Sequence, residues 1–143
     1  MTKTGIRIIA AACVLLTMAC GKANAQFSLT GNDPAAMRWR QMETENFKLI
    51  FPKGEDSLAR VYGVELEHAR LRIAKSSGYL IGQSYKAKMP VVLHSRYVLP
   101  NASVTWAPKR MDIFTVNDPY SPTAMPWVRN LAIHEGRHAA QMQ

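Results

Sequence analysis

Cysteine is nearly absent from this chain, which has only Cys13 and Cys20 among its 143 residues. Both lie within the first 25 residues, so the segment from residue 26 onward contains none. Disulfide bonds are therefore excluded for that segment, and a structural zinc site, which needs four ligands and commonly uses cysteine, is disfavoured. Packing, a catalytic-type metal or a further protein segment must stabilise the fold instead.

The chain also lacks an apolar run long enough to cross a membrane. Its apolar stretch at residues 8–19 spans about 12 residues, whereas a membrane-spanning helix needs about 20. Lys3 and Arg7 precede this stretch, and the small residues Ala23-Asn24-Ala25 follow it. This three-part layout is typical of a secretory signal peptide. We therefore predict that residues 1–25 are a signal peptide and that the mature chain has no transmembrane span.

Two locations follow from this export signal. Soluble export to the periplasm or the cell exterior is the favoured interpretation, because the signal is complete with its small-residue cleavage stretch. The alternative is a lipoprotein that is anchored through Cys20. Thr17, three positions upstream, fits lipoprotein processing poorly because leucine is preferred there.

Acidic residues are scarce, with 10 against 18 lysines and arginines, which gives a formal charge of +8. The predicted signal removes three of these positive charges and leaves +5. The remaining bases are spread along the chain and mixed with acids, with no basic cluster that contains interleaved aromatics. A nucleic-acid partner would favour such a cluster. We therefore predict no nucleic-acid binding.

The first part of the mature chain reads as a connecting segment. Residues 26–43 are assigned to a flexible lead-in because Gly31, Asn32, Asp33 and Pro34 favour turns and loops. Residues 37–45 are ambiguous and fit a short helical turn. The domain itself is predicted to span residues 44–143.

A strand and a long helix are predicted next. Residues 46–51 alternate apolar and polar side chains before Pro52, which predicts a strand. Asp56 or Ser57 can cap a helix that runs to about Ser76, with Gly78 as its terminating glycine. Apolar residues on this helix recur at spacings of three and four and give one buried stripe: Leu58, Tyr62, Leu66, Ala69 and Ile73.

The rest of the chain predicts three more strands and a final helix. The strands are expected at residues 89–94, 103–107 and 110–116, and the helix begins near Trp127 after Pro126. The predicted fold class is α+β, with a mixed, twisted sheet of about four strands. One helix backs this sheet, and the C-terminal helix carries the motif described next.

The C-terminal helix contains the sequence His134-Glu135-Gly136-Arg137-His138. Side chains four residues apart on a helix lie on one face, with β-carbons about 5–6 Å apart, so both imidazoles can bind one Zn²⁺. Glu135 lies beside the metal without ligating it and can act as a general base. Gly136 costs about 1 kcal/mol of helix stability relative to alanine, which is compatible with close packing at this position.

Apolar residues flank the motif on the same helix. Trp127 and Leu131 share a face with the two histidines, and Val128, Ala132 and Ala139 share a face with Glu135. The two predicted ligands therefore lie at the edge of an apolar surface. A half-buried cleft at that edge suits a catalytic metal, which keeps one coordination position open.

With this motif, the chain resembles the zincin metallopeptidases. It is most similar to the gluzincin, thermolysin-like branch, and in particular to the peptidase MA-like domains of exported proteins from Bacteroidetes-type bacteria. Residues 44–51, 103–110 and 131–138 carry the likeness, and only the last of these segments is specific. The resemblance implies the N-terminal subdomain of a zincin. It also implies an exported zinc-dependent peptidase in which a zinc-activated water attacks the peptide bond of a protein substrate.

The resemblance also assigns roles to individual residues. His134 and His138 would be zinc ligands, and Glu135 would be the general base. The edge strand above the cleft would bind an extended peptide through its main chain, and its residues are Asn101, Ala102, Ser103, Val104, Thr105 and Trp106. An ordinary edge strand without a ligand remains an equal alternative for this stretch.

The resemblance is incomplete beyond the second histidine. Gluzincins take a third zinc ligand, a glutamate, from a later helix, and an oxyanion-stabilising residue from further on. Only Ala139 to Gln143 follow here, and Glu65, Glu67 and His94 are poorly placed to replace that ligand. We therefore expect an N-terminal fragment of a longer enzyme, in which a β-propeller can follow. The alternative is a non-catalytic binding or assembly domain that keeps the zincin scaffold.

Overall fold

The computed structural model describes residues 33–78, 81, 87–98, 100–106, 108–120 and 125–142. The predicted signal peptide, Cys20 and the first part of the lead-in lie outside the described residues. Within them, neither helix combines the length and the apolar character that crossing a membrane requires.

Five strands and two helices make up the described domain. In chain order they are β1 (Trp39–Glu43), β2 (Phe47–Pro52), α1 (Asp56–Ser77), β3 (Met89–His94), β4 (Asn101–Trp106), β5 (Lys109–Phe114) and α2 (Trp127–Gln141). The strands form one sheet in the order β1-β2-β3-β5-β4. The two central pairings, β2–β3 and β3–β5, are parallel, and the two outer pairings are antiparallel. The predicted α+β class with a mixed sheet is therefore confirmed.

Strand β1 is the main difference from the sequence-based expectation, which had about four strands. It lies within the segment that was assigned to a lead-in, and it replaces the helical turn considered for residues 37–45. Its side chains are exposed except for the partly buried Met42, so it lacks the apolar alternation that identifies a strand. Backbone pairing with β2, from Trp39 opposite Pro52 to Glu43 opposite Lys48, holds it in place.

The core lies between the sheet and the two helices. Phe47, Leu49 and Phe51 of β2 share one buried face, as the alternation predicts, and their exposed fractions are 0%, 0% and 2%. Helix α1 buries the predicted stripe from Tyr62 to Ile73, but Ala59 is buried at its start and Leu58 only partly. The core is completed by side chains from β3, β5 and α2: Val91, Leu93, Met111, Ile113, Leu131, Ala132 and Ala139.

The ends of α1 show one confirmed and one wrong prediction. Gly78 ends the helix in the left-handed conformation, with a φ of 78°, and its N–H donates to the carbonyl oxygen of Ala74. Neither Asp56 nor Ser57 caps the start, where Glu55 occupies the N-cap position without a side-chain hydrogen bond. Asp56 instead forms an ion pair with Arg40 of β1, at 3.0 Å between Oδ1 and Nη1.

Glu67 of α1 connects the helix to the turn between β1 and β2. Its Oε1 accepts hydrogen bonds from the Thr44 hydroxyl (2.6 Å) and the Asn46 backbone N–H (2.8 Å). Its Oε2 accepts a third from Asn46 Nδ2 (2.8 Å). Burial alone would raise the pKa of Glu67, but these three hydrogen bonds outweigh it and the pKa is lowered. The Glu67 carboxylate thus makes three hydrogen bonds to the β1–β2 turn in place of hydrogen bonds to water.

Replacing Glu67 by alanine is expected to lower the free energy of unfolding by about 1–2 kcal/mol. Hydrogen bonds to a charged group contribute about 1.5–3 kcal/mol, and partial exposure of this carboxylate reduces that figure. Urea denaturation at neutral pH measures the change. Glu45→Ala, which removes an exposed carboxylate from the same turn, should stay within about 0.5 kcal/mol of wild type. Equal losses in the two variants would contradict the anchoring role of Glu67.

Candidate metal centre

The two histidines of the motif lie together on α2, one helical turn apart. Their Nε2 atoms are 3.3 Å apart, and the ring centroids are 4.9 Å apart in an edge-to-face arrangement. Two ligand nitrogens at about 2.0–2.1 Å from one tetrahedral Zn²⁺ are about 3.3–3.4 Å apart. The observed separation therefore fits a shared zinc ion without a change of rotamer. Both imidazoles are exposed, so a metal can reach them.

Glu135 lies between the histidine face and the core. Its side chain is 5% exposed, whereas that of His134 is 65% exposed, and its Oε1 is 3.9 Å from His134 Nε2. Burial raises the pKa of Glu135, and the charges of His134 and His138 act in the opposite direction. A carboxylate whose pKa is raised binds a proton more tightly than an ordinary glutamate, which suits a general base.

A cleft of about 510 Å³ opens beside these three side chains, between α2 and the edge strand β4. The helix contributes Trp127, Asn130 and Leu131 as well as His134, Glu135 and His138, and Met142 follows its last turn. The strand contributes Asn101, Ala102, Ser103 and Val104, preceded by Pro100. The motif helix and the strand to which the resemblance assigned substrate binding thus line the same cavity.

Strand β4 lies at one edge of the described sheet, next to β5 only. It begins at Asn101, two residues earlier than the sequence pattern indicated, and this places Asn101 and Ala102 on the strand. Thr105 belongs to the predicted substrate-binding stretch but does not line the cleft. Its hydroxyl donates towards the carbonyl oxygens of Pro108 and Arg110, at 3.2 and 3.5 Å. The side chain of Trp106, the last residue of that stretch, lies outside the part of the chain that the structure describes.

Asn130 is a cleft residue that the sequence reasoning missed. It lies four residues before His134, on the same helix face, and it lines the cavity beside Trp127 and Leu131. The spacing of four could have identified it, but an asparagine has no strong preference for metal ligation. Its side-chain amide can both donate and accept hydrogen bonds in the cleft.

A third ligand for the metal is not found among the described residues, which contain no cluster of three or more histidine, cysteine, aspartate or glutamate side chains arranged for a metal ion. The three side chains considered as substitutes are engaged elsewhere. Glu65 accepts two hydrogen bonds from Arg129, Glu67 binds the β1–β2 turn, and His94 lies between two aspartates. Among the described residues, His134 and His138 are therefore the two possible nitrogen ligands that come together at the cleft.

Gly136 lies where α2 packs against Ile73 of α1 and against Ile81, which comes after that helix in the chain. A β-carbon at this position would be 2.4 Å from Ile73 Cδ1 and 3.4 Å from Ile81 Cδ1. The close packing considered from the sequence is therefore observed, and the neighbours are side chains. Glu135 and the two histidines lie within two residues of this glycine. The packing of Gly136 against Ile73 and Ile81 therefore also sets the distance between the motif and the core.

Substituting Gly136 by alanine is expected to destabilise the domain by about 1–3 kcal/mol, because overpacking exceeds the gain in helix propensity. Ile73→Val removes the methyl group that would lie nearest to the new β-carbon, so the double variant should recover about 1 kcal/mol or more relative to additivity. Thermal or urea unfolding of the four proteins measures this coupling. Strict additivity of the two substitutions would show that Ile73 does not constrain Gly136.

No family model matches the chain, and no curated protein and no solved structure is significantly similar to it. The geometry of the cleft and the chemistry of its residues are therefore the basis for inferring a function.

Proposed function

We propose that this chain is the metal-binding part of an exported, zinc-dependent peptidase. The 3.3 Å separation of the two Nε2 atoms carries the proposal, because it suits one tetrahedral Zn²⁺. The buried carboxylate of Glu135 beside that position and the edge strand across the cleft support it. Zinc, when bound, lowers the pKa of water and polarises a carbonyl oxygen.

The residues of the chain then have distinct tasks. His134 and His138 would hold the metal through Nε2. Glu135 would take a proton from the attacking water and pass it to the leaving amine, as a general base and then a general acid. Strand β4, through Asn101 to Val104, would pair the main-chain groups of its outer edge with an extended peptide substrate. The N–H of Ala102 donates to Asn101 Oδ1 at 2.8 Å in this structure. The substrate class is therefore an unfolded or extended protein segment.

One observation favours a second candidate function. In the described residues only two metal donors converge, whereas catalytic zinc sites use three protein ligands. A non-catalytic domain that binds an extended peptide along β4 would need no third ligand. It would be an assembly or binding module that keeps the zincin scaffold.

Two variants distinguish the candidates. In a peptidase, His134→Ala should lose both zinc and hydrolysis, whereas Glu135→Gln should lose hydrolysis and keep zinc. In a binding module, neither variant should change peptide affinity, and the wild-type protein should hydrolyse nothing. The assay is cleavage of an unstructured protein substrate, such as denatured casein, with zinc supplied.

A further inference from the structure

Four charged side chains form a network on the sheet face that points away from the helices. His94, at the end of β3, lies between two carboxylates: Nδ1 is 2.6 Å from Asp33 Oδ2, and Nε2 is 3.1 Å from Asp112 Oδ1. Arg110 donates from Nε to Asp112 Oδ2 at 2.7 Å. Asp33 precedes β1, so the network connects the segment before the sheet to strands β3 and β5.

The network is shielded from water. The side chains of His94, Asp33 and Asp112 are 16%, 15% and 11% exposed. Phe114 stacks on the imidazole with centroids 4.8 Å apart, and Trp39 approaches it edge-on at 6.2 Å. Charged groups in such an environment are stable only when they are paired. With one imidazolium, one guanidinium and two carboxylates, the network has no net charge.

The contacts of His94 determine its protonation state. A carboxylate that is ionised can only accept hydrogen bonds, and a neutral imidazole has one N–H and one lone pair. Both ring nitrogens of His94 lie within hydrogen-bond distance of a carboxylate oxygen. When both carboxylates are ionised, both contacts are satisfied at once only if the ring carries two protons and a positive charge.

The electrostatic environment also favours the doubly protonated ring of His94. Burial alone would lower the pKa of His94, but the hydrogen bonds to Asp112 and Asp33 and their charges outweigh it, so the pKa is raised above its ordinary value of 6.5. Burial would raise the pKa of Asp112, yet His94 and Arg110 lower it overall. In the described residues, Asp33 from the lead segment and Asp112 from β5 are the charged groups that face the ring, with Arg110 behind Asp112.

We propose that His94 is a pH-sensitive latch that holds the segment around Asp33 on the sheet when its imidazole is protonated and releases that segment when the proton leaves. Loss of one proton leaves a lone pair on one ring nitrogen, and this lone pair faces a carboxylate oxygen that can also only accept. Asp112 stays in place because Arg110 and the β5 backbone hold it. Asp33 has no such support from a strand, so the contact to Asp33 opens.

The direction of the pH dependence follows from the raised pKa of His94. The latch is fully closed below the ordinary histidine pKa of 6.5, and it opens as the pH rises through the higher pKa of the folded protein. At strongly acidic pH the carboxylates lose their charge, and the network weakens for a different reason. This latch does not depend on the zinc site.

An NMR titration of the full chain tests the proposal. Imidazole ¹⁵N shifts between about pH 5 and about pH 9 give the pKa of His94. Hydrogen exchange of the Met37 amide, which donates to the carbonyl oxygen of Pro34 at 2.8 Å, reports release of the segment once it is corrected for the intrinsic pH dependence. We expect a His94 pKa above the ordinary value of 6.5. We also expect the protection of the Met37 amide to fall across the His94 transition by about tenfold for each unit by which the His94 pKa is raised.

Asp33→Asn is the matching variant, since it keeps the shape of the side chain and removes its charge. It should lower the His94 pKa and abolish the pH-dependent step in exchange of the Met37 amide. Asp118→Asn, which changes a carboxylate in the loop after β5, should leave both unchanged. A wild-type His94 pKa at or below 6.5, or protection of the Met37 amide that is constant across the His94 transition, would overturn the latch.

Discussion

Replacing Glu135 by glutamine is expected to lower the rate of peptide hydrolysis by about 10²–10⁴-fold, the range contributed by a positioned general acid–base group. Glutamine has nearly the same volume and shape as glutamate, so it fits the buried position between the histidine face and the core. It cannot accept a proton at neutral pH. The loss should therefore be a loss of kcat, with zinc affinity unchanged.

The measurement for this first prediction is single-turnover cleavage of an unstructured protein, with zinc content determined on the same samples. The control is Glu45→Gln, which makes the same chemical change at an exposed position in the β1–β2 turn. Full hydrolysis by the Glu135 variant would remove this residue from the mechanism. Loss of zinc together with activity would assign Glu135 a role in the metal site instead.

Removing one of the two imidazoles should have the largest effect on metal binding. Structural zinc sites with four protein ligands release about 10–16 kcal/mol on binding, which is about 2.5–4 kcal/mol for each ligand. On that scale we expect His134→Ala or His138→Ala to weaken zinc binding by about 10²-fold or more. His134 is exposed, with a side chain that is 65% accessible, so its removal should leave the free energy of unfolding of the metal-free protein almost unchanged.

Competition with a chromophoric zinc chelator measures the affinities of these variants. His68→Ala is the matched control, because His68 is an exposed histidine on α1 and lies away from the motif. It should bind zinc as the wild type does. A comparable weakening in the His68 variant would mean that zinc binds to scattered surface histidines and that the motif has no special role.

The sequence was most informative where the pattern was local and strong. The alternation of Phe47, Leu49 and Phe51 and the stripe on α1 predicted their elements almost to the residue, since period and burial agree there. The spacing of His134 and His138 predicted that the two rings share one helix face, and the structure brings their nitrogens together. Helical geometry alone determines that proximity.

Features that depend on distant parts of the chain were not predictable. Strand β1 is stabilised by its backbone pairing with β2, and its exposed side chains carry no pattern. The charge network joins residues 33, 94, 110 and 112, which only the folded sheet brings together. Thr105 shares strand β4 with the cleft residues, yet the direction of its side chain depends on the turn that follows. No local rule contains this information.

The most direct test of the account is the zinc stoichiometry of the purified protein, measured by elemental analysis after dialysis against a weak chelator. We predict about one zinc per chain for the wild type and for Glu135→Gln, and background levels for the double variant His134→Ala/His138→Ala. A wild-type protein that holds no zinc above background would contradict the central claim. Zinc retained at full stoichiometry by the double variant would contradict it equally.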